Sequence, residues 1–112
     1  MKHHLAITAD NHFTLKLTYS DSDGQPINLT NATARFMLRR SMYSPTLIEK
    51  SLIIDAATSE LTLVIPPEDT KDILDDVVAE NFIYGIQLTL EDGTTTILLD
   101  GDAEITQSIV RD

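Results

Sequence analysis

Two short runs place carboxylates at the spacing a hard cation favours, Asp21-x-Asp23-Gly24 and Asp100-Gly101-Asp102, since calcium gathers several oxygen ligands from one tight turn. An EF-hand loop also needs ligands at its fifth and twelfth places. Counted from Asp21, those places hold Gln25 and Ala32. Both runs read as acidic turns, in which aspartate side chains hold nearby amides. His3 and His4 are adjacent, so in an extended chain they face opposite ways, and His12 alone cannot complete a zinc site that needs three or four convergent ligands. All the histidines fall within the first twelve residues and no serine occupies a Gly-x-Ser-x-Gly elbow, so triad chemistry has no footing. The carboxylates Glu68, Asp69, Asp72, Asp75, Asp76 and Glu80 suit the hydrated face of a helix better than paired acid and base. Gly24, Gly85, Gly93 and Gly101 never cluster into a phosphate cradle. The expectation is no enzyme, no catalytic residue, no cofactor and no metal site.

Composition narrows the field further. A chain of 112 residues with 42% apolar side chains can wrap one modest core, so a single domain over 1–112 is expected. It has no cysteine, which removes disulfides and thiolate ligands. A net charge of −10 repels phosphate backbones and anionic headgroups, and basic residues have aromatic neighbours only around Arg35, Phe36, Arg39, Arg40 and Tyr43. No apolar run approaches the ~18 residues of a membrane span, and no leader-like segment opens the chain. Neither nucleic acid nor membrane is expected as a partner. Without a leader, the acceptor patterns Asn28-Leu29-Thr30 and Asn31-Ala32-Thr33 read as polar turns.

The elements that would position any site are strands. Period-2 alternation is cleanest from Phe13 to Tyr19 and recurs at Ile27 and Leu29, at Ala34, Phe36 and Leu38, from Leu47 to Ile54, and at Leu61, Leu63 and Ile65. It returns from Phe82 to Leu90, from Thr95 to Leu99, and from Ala103 to Ile109. Asp23-Gly24, Asp92-Gly93 and Asp100-Gly101 are turn signals between them. Only Ile73, Leu74, Val77 and Val78 have helical spacing, and Pro67 with Glu68 and Asp69 suits a helix start, so one short surface helix is expected near residues 67–78. Seven or eight strands without a βαβ repeat predict an all-β fold, an antiparallel β-sandwich. Shared inward parity assigns the core to Phe13, Leu15, Leu17, Phe36, Leu38, Leu63, Ile65, Tyr84, Ile86, Leu88, Ile97 and Ile105.

Charge is unevenly laid along the chain. Residues 35–50 carry Arg35, Arg39, Arg40 and Lys50 against Glu49, whereas 66–80 and 91–104 are strongly acidic. The loop with Met42 and Tyr43 and the two-faced apolar run Leu52-Ile53-Ile54 lie in or beside the basic stretch. Arginine, tyrosine and methionine are enriched at interfaces, so Arg35, Arg39, Arg40, Met42, Tyr43, Leu52 and Ile53 are the candidate contact residues. Opposite charge on distant segments favours a head-to-tail, ring-forming contact between copies.

The ordered set of segments resembles the immunoglobulin-like β-sandwich module of phage tail and baseplate proteins, and is similar to the N-terminal domain of phage upper baseplate proteins. The likeness is carried by Phe13-Thr14-Leu15-Lys16-Leu17-Thr18-Tyr19 leading into Asp23-Gly24-Gln25-Pro26-Ile27-Asn28-Leu29-Thr30, then by Ala34-Arg35-Phe36-Met37-Leu38-Arg39 and Leu61-Thr62-Leu63-Val64-Ile65 with the acidic helix, and by Tyr84-Gly85-Ile86-Gln87-Leu88-Thr89-Leu90 with Glu91-Asp92-Gly93-Thr94 and the last strand. It covers nearly all of residues 8–111. The resemblance implies an immunoglobulin-like sandwich and a non-enzymatic structural protein of a phage virion. Such a protein would be a tail or baseplate adaptor, ring or decoration subunit, assembled in the host cytoplasm, with other virion or tail proteins as partners and self-association as a homo-oligomer. The competing class is a carbohydrate- or receptor-binding sandwich. It is poorly supplied, because the chain has no tryptophan and Tyr43 is nearly the only aromatic residue off the core parity.

Overall fold

The computed structural model describes residues 3–20, 23–25, 27–74 and 77–108. Eight strands form among them: β1 (Leu5–Thr8), β2 (Phe13–Thr18), β3 (Thr33–Arg39), β4 (Thr46–Ser51), β5 (Ile53–Asp55), β6 (Glu60–Ile65), β7 (Ala79–Thr89) and β8 (Thr95–Thr106). One sheet runs β1-β8-β7-β3-β4 and the other β2-β6-β5. Packed on each other, they make an all-β sandwich. Every pairing is antiparallel except β1 with β8, which is parallel. The core between the sheets is closed by Phe36, Leu38, Leu61, Leu63, Ile65, Phe82, Ile86, Leu88 and Ile105, all buried. Phe36 and Tyr84 stack within it, ring centroids 5.9 Å apart.

Alternation located most of these strands, and the departures have local causes. The segment from Leu47 to Ile54 is not one strand. It leaves the larger sheet after Ser51, crosses at buried Leu52, whose amide donates to the Ala34 carbonyl at 2.9 Å, and joins the smaller sheet as β5. A segment that changes sheets must be apolar on both sides of the crossing, which accounts for Leu52-Ile53-Ile54. Ile27 and Leu29 form no strand. Leu29 reaches the core from a loop pinned by the Ile27 amide to the Tyr19 carbonyl and by the Ser59 hydroxyl to the Ile27 carbonyl.

The expected turn at Asp100-Gly101 is absent, and β8 runs straight through it. At Gly101 (φ 147°) a Cβ would come within 2.5 Å of the His3 carbonyl oxygen, so the missing side chain admits the N-terminal segment beside β8. The expected core position of Ile97 is also wrong: it is 51% exposed, and Leu99 is buried instead. Ile86 pairs with Leu99 but Gln87 pairs with Ile97, so Leu98 is the extra residue of a bulge that inverts the parity of the strand before it.

The helix α1 spans only Pro67–Thr70, with Pro67 at its start and Glu68 and Asp69 in its first turn as expected, and turns continue to Ile73. Asp75 and Asp76, like Ile109 at the end of the expected last strand, lie outside the described residues. Val77 and Val78 are exposed rather than part of a buried stripe, because the long β7–β8 ladder claims this stretch: the Gln107 amide donates to the Val78 carbonyl and Ala79 pairs with Thr106. A helix this short cannot outcompete a ladder, since its first turn orders several residues for one hydrogen bond.

Candidate functional site

Alternation on three adjacent strands directs a second set of side chains to the outer face of the five-stranded sheet. Register aligns them in rows: Arg39, Ile83 and Asp102; Met37, Gly85 and Asp100; Arg35, Gln87 and Ile97, read from β3 across β7 to β8. Over the centre lies a shallow groove of about 300 Å³. Met37, Met42, Ile83 and Ile97 give it apolar walls, and its middle is bare backbone at Gly85. A Cβ at Gly85 would meet nothing within 4 Å, so the groove is open above that residue.

The arginine side is held by the loop after β3. Arg39 Nη1 donates to the Ser44 carbonyl at 3.0 Å, and that loop is closed by the Ser44 amide on the Ser41 carbonyl at 3.2 Å. The loop brings Met42, 69% exposed, to the groove wall. Arg35 pairs with Glu49 at 3.3 Å on the solvent side. On the other flank Asp100 and Asp102 raise the local negative potential. Together with burial, which is the larger cause, they push the Tyr84 phenol up to about 12. Tyr84 spends its hydroxyl proton on the His3 carbonyl at 2.7 Å, below the sheet.

The expected contact residues do not form one patch. Arg35, Arg39 and Met42 line the groove. Tyr43 stands at the loop tip, 97% exposed. Arg40 is turned to the end of the sandwich, where it bonds Glu80 at 2.8 Å and the Ile73 carbonyl at 3.1 Å and lies 5.6 Å from the centre of the Phe82 ring. Leu52 is in the core and is removed from the set. Ile53, 67% exposed, belongs to the smaller sheet, away from the groove. What sequence reasoning missed are the β7 and β8 contributors Gly85, Gln87, Ile97, Asp100 and Asp102. Of these only Asp100 and Asp102 had a legible signal, the acidic stretch 91–104 opposite in sign to the basic one.

Among the described residues no three of histidine, aspartate and glutamate gather closely enough to hold a metal ion. Asp21, the first carboxylate of one expected cation turn, lies outside the described residues. No helix among them is long and apolar enough to cross a membrane. Compared with known proteins, the chain matches no family model and no curated protein.

Proposed function

We propose that this chain is a non-enzymatic structural subunit of a phage virion, an adaptor, ring or decoration component of the tail or baseplate, acting by protein–protein contact through the outer face of its five-stranded sheet. The observation that carries the reading is the groove over Gly85, apolar in its walls and flanked by fixed charge of both signs. Methionine and arginine are types concentrated at interfaces, and an apolar sheet face with polar margins is a surface that a partner covers. Strand order supports the immunoglobulin-like form implied by the resemblance: the second, sixth and fifth strands make one sheet, and the last two strands lie between the first and third in the other. The reading assigns no catalytic residue and places the protein in the particle.

A carbohydrate-binding role would need aromatic rings presented to solvent. Phe13, Tyr19, Phe36, Phe82 and Tyr84 are all packed in or against the core, which leaves Tyr43 of the six aromatic residues. One ring is not a sugar platform.

Quantitative mass spectrometry of particles purified from the phage that encodes the chain tests the reading. The chain should be present at a fixed ratio to the tail proteins. Recovery only from the particle-free fraction would overturn it.

A further inference from the structure

Charge on the outer face of the five-stranded sheet is arranged in two stripes on either side of β7. Arg39 projects from β3 and Asp102 from β8, each one strand spacing of ~4.8 Å from Ile83 between them. Among the described residues neither Arg39 nor Asp102 takes part in an ion pair, and Arg39 is already oriented by the Ser44 carbonyl. The acids of residues 100–102 therefore share a face with the basic strand, although along the chain they are some sixty residues away. A face that carries both signs in parallel stripes can be complementary to itself.

We propose that a second copy of this chain docks on this face, the two five-stranded sheets packed outer face to outer face about a two-fold axis running along β7. The inference rests on the reading of this face as a docking surface and names its occupant. Rotation about that axis exchanges left and right, so β3 of each copy lies over β8 of the other. Arg39 then meets Asp102 of the second copy, and the symmetry makes the same contact twice. An axis across the strands would instead set arginine over arginine. Gly85 falls on the proposed axis, where its lack of a side chain lets the two central strands approach, and Met37, Ile83 and Ile97 fill the space around it. Sheets packed in this aligned manner keep their strands within about 30° of each other, so the rows stay near enough to register for the charges to pair. The apolar centre supplies the affinity and the charges select the orientation. A two-fold contact replaces the head-to-tail ring that charge along the chain suggests.

Sedimentation equilibrium of the full chain tests this. The wild type should be a dimer that weakens with salt. Asp102→Arg sets arginine against arginine at both symmetry-related contacts and Arg39→Asp sets aspartate against aspartate, so each alone should dimerise at least ~100-fold more weakly, because like charges then oppose each other at two places. An equimolar mixture of the two variants should restore a one-to-one dimer, which no structural role of either residue would produce. Gly85→Arg, whose new side chain has open space in the monomer, should keep the fold and abolish the dimer. Should Arg39→Asp disturb its loop, Asp102→Arg and Gly85→Arg decide the matter alone. A wild-type chain that stays monomeric up to its solubility limit overturns the proposal, as does a closed oligomer of higher order, or dimerisation of these variants at wild-type strength. A monomeric chain present at fixed ratio in particles would sink the two-fold pairing and leave the virion reading standing. A dimer in solution that is missing from particles would do the reverse.

Discussion

Arg40 and Glu80, forty residues apart, meet at 2.8 Å at one end of the sandwich. The same guanidinium bonds the Ile73 carbonyl and lies over the Phe82 ring, so it ties the segment after α1 to the start of β7 and to the end of β3. A partly exposed ion pair contributes little by itself. The carbonyl bond and the ring contact add to it, and Arg40→Ala is expected to cost about 1–2 kcal/mol. Urea unfolding of that variant beside Arg35→Ala, whose pair with Glu49 is solvent-exposed, separates the two roles at a concentration where the chain is monomeric: Arg35→Ala should stay within about 0.5 kcal/mol of the wild type. Equal costs would mean that Arg40 holds nothing together.

The bulge at Leu98 makes a sharp contrast between two neighbouring side chains. Leu99→Ala should destabilise by about 2–5 kcal/mol because it opens a cavity in the core. Ile97→Ala, measured at a concentration where the chain is monomeric, should change stability by less than about 0.5 kcal/mol because its side chain is on the outer face. Reversed magnitudes would show that the strand enters the core without the bulge.

Gly101→Ala combines an unfavourable φ with a collision against the His3 backbone. The expected cost is about 1–3 kcal/mol, and amide hydrogen exchange should show lost protection at the His3 amide, which bonds the Asp100 carbonyl at 2.8 Å, and along β1. Unchanged protection there would place the N-terminal segment elsewhere.

Tyr84 makes stability fall at high pH. Its folded pKa of about 12 lies above the 10.0 of an ordinary tyrosine, so the folded state holds the phenolic proton more tightly than the unfolded chain does. The stabilisation is complete below the unfolded value and disappears as pH rises through the folded one. Denaturant midpoints of the wild type should therefore drop between pH 10 and 12, and Tyr84→Phe should flatten that drop while losing the bond to the His3 carbonyl. A drop of the same size in Tyr84→Phe would assign it to other groups.

Local chemistry in the sequence was sufficient for the fold class. Alternation along β2, β3, β6 and β7 needs no partner strand to be read, because a side-chain period of two on a half-buried surface is a property of each segment alone. Proline and acids at the start of α1 were equally legible. Where two segments compete for the same residues or exchange faces, the decision came from pairing. Leu98 is a bulge only because Ile86 and Gln87 take Leu99 and Ile97 as their partners. Val77 and Val78 leave the helical stripe because β8 offers a ladder, and Leu52 is buried because the chain changes sheets there. The candidate site belongs to the same class. Arg39 and Met42 were visible as residues suited to a contact, but nothing along the chain places Asp102 level with Arg39 or Gly85 between Met37 and Asp100. Those neighbours are set by hydrogen-bonded register across three strands distant in sequence, which only the assembled sheet determines.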